Sequence, residues 1–249
     1  MADFNNYQNR MTQSRAQVGV DIDQGLRSYM LKVYNLMALG LAITGLAAFL
    51  TFNMAVSDGA LTPFGQALYA SPLKWVVMFA PLGLVFFLSF RISSMSVAAA
   101  QTTFWIYAAV MGLSLSSIFL VFTGQSIVQT FFVTAASFGA LSLYGYTTKK
   151  DLSALGSFLI MGVFGLIIAS IVNIFLASSA LQFAISAIGV LVFAGLTAYD
   201  TQKIKEMYFD GDDALVAGRK AIMGALTLYL DFINLFMFLL QFLGNRNDN

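Results

Sequence analysis

The sequence predicts an all-α integral membrane protein with seven transmembrane helices. Of its 249 residues, 59% are hydrophobic and only 10% are charged, whereas a soluble domain carries about 25% charged residues. The mean hydropathy is +0.78. The few charged residues divide the chain into apolar stretches, and a stretch of about 20 residues crosses a bilayer as a helix. Composition and charge spacing therefore both favour a bundle of membrane-spanning helices.

Charged residues bound the first two spans. No charge lies between Lys32 and Asp58, which predicts a first span over 33–52. The apolar stretch between Lys74 and Arg91 predicts a second span over 75–90. The polar segment before the first span lacks the apolar run of a cleaved signal peptide, so this span is expected to be retained.

Two longer stretches without charge must each fold back. Residues 92–148 contain no Asp, Glu, Lys or Arg, and a single helix of that length would measure about 85 Å. A turn at 123–125 then predicts a third span over 103–122 and a fourth over 127–146. A polar break at 177–179 likewise divides the next stretch into spans over 155–176 and 181–199. The seventh span covers 221–243 and contains Asp231.

The distribution of Lys and Arg predicts the orientation. Of the 13 Lys and Arg residues, only Lys74 and Arg246 fall on the side opposite the N-terminal tail. By the positive-inside rule, the N-terminus is cytoplasmic. Seven spans place the C-terminus outside, unless the last span dips into the membrane and returns. We therefore expect a cytoplasmic tail (1–27), a single transmembrane domain (28–244) and a short C-terminal tail (245–249).

The residue types also exclude several classes of function. The chain has no cysteine and no histidine, which removes disulfides, thiolate nucleophiles and Cys/His metal sites. The net charge of +1 gives no reason to expect a nucleic-acid partner. Without a nucleotide-binding motif or a nucleophile–base set, we expect no cofactor and no enzymatic activity. Sensing of pH near neutrality must use groups other than histidine.

Asp231 lies where an acidic residue is least expected. Apolar residues flank it on both sides, and it lies about 16 Å along a helix counted from Lys220. An ionised Asp near mid-membrane costs about 2.5–3.5 kcal/mol, so intramembrane acids usually face a cavity or a partner and carry function. The alternative is a protonated carboxyl that is hydrogen-bonded between helices for structural reasons.

Asp200 is the second candidate, at the end of the sixth span. It could be a boundary residue in contact with water, because Lys203 and Lys205 follow within two turns. Alternatively it pairs with Asp231, since spans six and seven are consecutive and two carboxylates in a dry site tend to share a proton. The two residues can meet only if span six continues past Asp200 or span seven begins below the interface. Such a pair would be a pH switch without histidine.

Arg91 ends the second span and allows two interpretations. It can be a positive-inside anchor whose side chain extends to the interface. It can also be the cationic partner of one of the two aspartates.

Three segments resemble the Bax inhibitor-1 family, also called the transmembrane Bax-inhibitor-motif family. They are Thr-Ala-Tyr-Asp-Thr-Gln-Lys-Ile-Lys at 197–205, Leu-Thr-Leu-Tyr-Leu-Asp-Phe-Ile-Asn-Leu-Phe at 226–236 and Lys-Lys-Asp-Leu-Ser at 149–153. The resemblance covers residues 24–243 in order. It implies a fold in which the last helix is central and the other six surround it. It also implies a pH-dependent calcium leak gated near two aspartates, which match Asp200 and Asp231, with a latch arginine that best matches Arg91.

The resemblance leaves two functional hypotheses from different classes. The first is a calcium leak, in which Asp200, Asp231 and Asn234 offer calcium a weak and transient site, since a tight site needs six to eight oxygen ligands. Some relatives carry a glutamate in the second span, which this chain lacks. The second hypothesis is a modulator or inhibitor of a membrane-anchored ATP-dependent protease (FtsH) that acts through the N-terminal tail. A short polar tail without an organelle signal fits a bacterial inner membrane.

Overall fold

The computed structural model describes residues 2–247, with side chains from residue 24 onward. Seven of the described helices are long and apolar enough to cross a membrane, which confirms the predicted all-α class. They are α1 (Ala2–Ala55), α2 (Leu73–Arg91), α3 (Val97–Leu115), α4 (Gly124–Thr147), α5 (Ser153–Leu176), α6 (Ser179–Glu206) and α7 (Ala214–Leu243).

Short elements connect the first helices. A two-stranded hairpin, β1 (Val56–Ser57) and β2 (Ala60–Leu61), follows α1. Its turn residues Asp58 and Gly59 both have positive φ, as a two-residue hairpin turn requires. A short α-helix (Pro63–Gly65), a π-helix (Gln66–Ala70), a 3-10 helix (Ile92–Ser94) and a further short helix (Ile118–Val121) complete the described elements.

Both predicted fold-back points are confirmed, and polar side chains explain them. Thr123 caps the N-terminus of α4 by accepting a hydrogen bond from the Ser126 amide. Ala177 ends α5 in the left-handed conformation, and the Ser178 side chain then caps α6. These oxygens accept from first-turn amides that have no partner inside the helix.

The structure extends several predicted spans, most importantly the last two, and interrupts one. Helix α7 begins at Ala214 rather than near residue 221, because the Asp213 side chain caps it. Helix α6 continues to Glu206, well past Asp200. The third span breaks after α3, where the Ser116 hydroxyl donates to the Leu113 carbonyl at 2.6 Å.

The helix at the N-terminus is continuous across the predicted boundary between the tail and the transmembrane domain. Helix α1 runs through the predicted boundary between 1–27 and the transmembrane domain. Most of the predicted tail, residues 1–23, lies outside the part whose side chains are described. At the other end, Asn245 and Asn247 bond to the segment before α4, and residues 248–249 lie outside the described range.

The last helix occupies the centre of the bundle. In the most apolar 18-residue stretch of α7, 67% of the residues are buried, whereas in that of α2 only 11% are. It packs against α1, α3, α4 and α6, whereas α2 packs mainly on α3 and α5 mainly on α6. The predicted central position of α7 is thus confirmed, with four helices forming its principal neighbours and two lying further out.

Contacts between helix ends define two ends of the bundle. At one end, which we call the N-side, Tyr29 of α1 lies against Tyr208 after α6, with ring centroids 5.6 Å apart. At the opposite end, the C-side, the Asn247 amide donates to Val121 at 2.9 Å. With 30 residues, α7 is about 45 Å long and reaches from one end to the other. It therefore traverses the whole bundle and does not turn back.

Candidate functional site

Asp231 lies in the interior of the bundle on α7. Only 4% of its surface is exposed, because α7 is enclosed by four helices. Its neighbours along the helix, Leu228 and Phe232, are also buried. The sequence-based prediction that this acid faces the protein rather than the lipid therefore agrees with its position.

Asp200 meets Asp231 because α6 and α7 run antiparallel side by side. Phe193 stacks on Phe238 on the C-side of the pair, with centroids 5.6 Å apart, and Lys220 donates to the Met207 carbonyl on the N-side at 3.0 Å. Between these contacts, the two carboxyl groups face each other within hydrogen-bonding reach. The condition that span six continue past Asp200 is met.

The pair is asymmetric in its surroundings. Asp200 is half-buried, whereas the Oδ2 atom of Asp231 is buried and has no hydrogen-bond partner among the described residues. Two facing carboxylate oxygens cannot bond to each other without a hydrogen between them. A proton shared between Asp200 and Asp231 would form a hydrogen bond between the two side chains and remove one of two like charges from a dry site.

Asn234 lies one turn beyond Asp231 on α7, and its side chain turns back onto its own helix. The amide Nδ2 donates to the Leu230 carbonyl at 2.8 Å, which leaves the amide oxygen to act as an acceptor. In the part of the chain that the structure describes, no three Asp, Glu, His or Cys side chains gather in one place. A cation at the aspartate pair would thus meet few side-chain oxygens.

Arg91 is exposed at the N-side end of α2. Helix α2 packs mainly on α3, and Arg91 forms no ion pair with a described residue. Its predicted pairing with an aspartate is therefore not formed in this conformation, and its role as a latch stays a prediction. The guanidinium of Arg219 instead ties the beginning of α7 to the connection after α2, where it donates to the Met95 carbonyl at 2.7 Å.

A chain of hydroxyl groups next to Asp200 was not predicted from the sequence. Thr201 donates its only hydroxyl proton to the Thr197 carbonyl at 2.7 Å. Ser142 must therefore donate to Thr201, at 2.9 Å, and Tyr34 to Ser142, at 2.6 Å. The chain links α1, α4 and α6. The position of Thr201 beside Asp200 is evident from the sequence, but the other two hydroxyl groups of the chain come from α4 and α1.

A second hydroxyl contact holds α7 at Tyr229, two residues before Asp231. Thr44 of α1 donates to carbonyls of Gly40 and Ala108, so the Tyr229 hydroxyl donates to Thr44, at 2.6 Å. The neighbouring Tyr107 hydroxyl is buried and has no partner among the described residues. Tyr229 thus connects α7 to α1 through Thr44, and Thr44 in turn connects α1 to α3 through the Ala108 carbonyl.

The loop before α5 is fastened by the segment that follows Asp200. The Gln202 amide donates to the Lys150 carbonyl at 2.8 Å and accepts from the Leu152 amide at 2.9 Å. In the same loop, hydrogen bonds from Ser153 hold the pKa of Asp151 below its ordinary value. Two of the segments that carried the family resemblance are therefore in direct contact.

Comparison with known proteins identifies the family of this chain. The family model for inhibitors of apoptosis-promoting Bax1 matches residues 26–248. The chain belongs to the Bax inhibitor-1 family. Within this family, it is similar to the inner membrane protein YbhL of Escherichia coli K12, with 48% identity over 89% of this chain and 93% of the relative.

Two further relatives extend this comparison. A protein of Rickettsia prowazekii is 50% identical over 91% of this chain and 93% of its own length. A protein of Caulobacter vibrioides is 48% identical over the full length of both chains. This Bax inhibitor-1 family member is therefore a multi-pass integral membrane protein, and its relative in E. coli is an inner membrane protein.

Proposed function

We propose that this protein is a pH-sensitive calcium leak channel whose gate is the pair Asp200 and Asp231. The observation that carries the proposal is the burial of Asp231 opposite Asp200, with one carboxyl oxygen that has no partner among the described residues. Because α7 is the central helix, a change at this pair acts on the contact between α7 and α6. The family membership supports the same pair, since the resemblance to the family implies a gate near two aspartates that match Asp200 and Asp231.

The shared proton acts as a latch between the two helices. With one proton, the pair forms a charge-assisted hydrogen bond, worth about 1.5–3 kcal/mol. Loss of that proton leaves two like charges close together in a poor dielectric, and they repel. A second proton replaces the charged bond with a neutral one worth about 0.5–1.5 kcal/mol. Either change weakens the latch enough to shift a two-state equilibrium severalfold.

Calcium is the cargo in this proposal, and a weak site suits it. Calcium prefers six to eight oxygen ligands, and the pair, with Asn234 and nearby carbonyls, provides fewer. Conduction requires binding that is favourable enough for entry and weak enough for exit. Two carboxylates on the path meet both requirements better than a complete site would.

Calcium flux into vesicles of pure lipid tests the proposal. Purified protein is reconstituted around a calcium indicator, and flux is measured across a pH series. We expect Asp200→Asn and Asp231→Asn each to flatten the pH dependence, with the double variant no worse than the worse single, because the pair acts as a unit. Asp58→Asn, which changes an exposed acid in the hairpin turn, is the matched control and should keep the wild-type profile.

Two outcomes would contradict the proposal. If both single variants keep the wild-type pH profile, the carboxylate pair is not the switch, and Asp231 is a structural hydrogen-bonding group. If the wild-type protein gives no flux at any pH, the leak itself is wrong. A modulator of a membrane-anchored protease would also give no flux in these vesicles, so the measurement separates the two classes of function.

A further inference from the structure

A groove runs between α1 and α4 in the N-side half of the bundle. Its volume is about 550 Å³, within the range of small-molecule sites. The walls are mostly apolar and include Met30, Met37, Phe138 and Leu143. Both helices pack against α7, but they are not packed closely against each other. The hydrogen bond from Tyr34 to Ser142 crosses the gap between them.

The groove is open because α4 presents a glycine to it. A Cβ atom added at Gly139 would meet no atom within 4 Å. This contrasts with Gly145 on the same helix, where an added Cβ would collide with the backbone of Ala198. The space beside Gly139 is therefore open to the outside of the protein. Because Gly139 lies within a membrane-spanning helix, that outside is lipid.

The N-side end of the groove is cationic. Arg27 lines it, and so does Tyr146. The ammonium group of Lys205 lies 5.5 Å from the centre of the Tyr146 ring and donates to the Tyr146 carbonyl. Lys149 and Lys150 follow at the exposed end of α4. No acidic residue is among the described residues that line the groove. In the sequence, Asp23 lies four residues before Arg27, and Asp151 lies five residues after Tyr146 and follows the two lysines.

We propose that this groove is a binding site for one anionic phospholipid, with an acyl chain between α1 and α4 and the headgroup at Arg27. The apolar walls suit the chain, and the guanidinium can donate two hydrogen bonds to a phosphate group. The neighbouring lysines favour a headgroup with net negative charge over a zwitterionic one. The inference concerns binding alone and does not depend on the proposed leak.

The absence of cysteine in the chain allows a local measurement. A fluorophore is attached to Leu143→Cys, whose parent side chain is 62% exposed at the groove. The labelled protein is placed in nanodiscs of phosphatidylcholine that contain a minor fraction of a brominated lipid, which quenches on contact. We expect brominated phosphatidylglycerol to quench more strongly than brominated phosphatidylcholine. One cation at the membrane surface typically favours an anionic lipid about fivefold.

A second labelled position controls for bulk lipid. Phe158→Cys lies near the N-side end of α5, where the parent side chain is 65% exposed and does not line the groove. The two brominated lipids should quench this label equally. Equal quenching at Leu143→Cys as well would show that ordinary bilayer lipid fills the groove and would overturn the proposal.

Substitutions in the groove complete the test. Arg27→Gln should reduce the preference for phosphatidylglycerol about fivefold, whereas Arg27→Lys should keep most of it. Gly139→Leu should fill the groove and abolish the preference, and Gly165→Leu, at another open glycine on α5, should not. Helix content and thermal unfolding establish that each variant is folded. A preference that survives both Arg27→Gln and Gly139→Leu would place the lipid elsewhere and contradict the proposal.

Discussion

A single amide group at Gln202 holds the connection between α4 and α5. Its side chain bonds to the backbone of both Lys150 and Leu152, and it is only 6% exposed. A buried polar group that loses its partner costs more than the bond itself contributed. The residues that follow Asp200 therefore hold the N-side loop in place, independently of any role in gating.

Replacement of Gln202 by Ala should destabilise the protein. The carbonyl of Lys150 and the amide of Leu152 would lose their partner, at a cost of about 1–3 kcal/mol for each group that stays buried. Thermal unfolding in detergent measures the effect. Gln125→Ala, at an exposed position in the first turn of α4, is the control and should change little. An unfolding temperature that is the same for both variants would contradict the structural role of Gln202.

At the scale of elements, close approaches of α4 to α6 and of α1 to α3 depend on glycine. At Gly145, an added Cβ would collide with the Ala198 carbonyl of α6, and at Gly112 with the Thr44 carbonyl of α1. Small residues let membrane helices approach closely, which increases their van der Waals contact. The hydroxyl contacts of Ser142 and Thr44 lie on the same pairs of helices and depend on this short separation.

Gly145→Ala should therefore separate α4 from α6. The colliding atom is a backbone oxygen, which cannot rotate away, and overpacking of this kind costs about 1–3 kcal/mol. Gly139→Ala on the same helix meets no atom, so it should be neutral or stabilise the helix by up to about 1 kcal/mol. Thermal unfolding of the two variants provides the comparison. If Gly145→Ala is no less stable than Gly139→Ala, the two helices are not in close contact.

At the scale of the whole molecule, positive charge is concentrated at one end. Among the described residues, Lys74 and Arg246 are the cations outside the N-side half, and both lie near the C-side connections. Because loops rich in Lys and Arg stay in the cytoplasm, we expect the N-side to be cytoplasmic. Asp231 lies 17 residues after the N-side start of α7 at Ala214 and 12 residues before its C-side end at Leu243.

Reporter fusions test this orientation. A reporter inserted after Gln125, in the first turn of α4, should lie outside the cytoplasm, and one near Asp212, between α6 and α7, should lie inside. The two sites are at opposite ends of the bundle. Reporters that both lie on the same side would contradict the seven-span topology, and an exchange of the two sides would contradict the orientation.

Much of the fold follows from the sequence because the bilayer imposes a local rule. A stretch without charge must span or turn, so the spacing of charges together with the polar breaks at 123–125 and 177–179 located all seven helices. The depth of Asp231 in an apolar segment likewise identified it as the principal candidate, since a carboxyl group in hydrocarbon is costly wherever its neighbours lie. These predictions needed only the residues along one segment and the thickness of a membrane.

The contacts between helices could be decided only by the tertiary structure. Whether Asp200 meets Asp231 depends on the relative positions of α6 and α7, and helix ends shift by several residues with caps such as Asp213. The partners of Thr201, Gln202 and Tyr229 come from segments distant in sequence. Arg91 has the same charge wherever α2 packs, but its neighbours depend on that packing. The cost of burying a polar group depends on that residue alone and can be estimated from the sequence. Whether the group finds a hydrogen-bond partner depends on how two helices pack, and only the folded bundle specifies that packing.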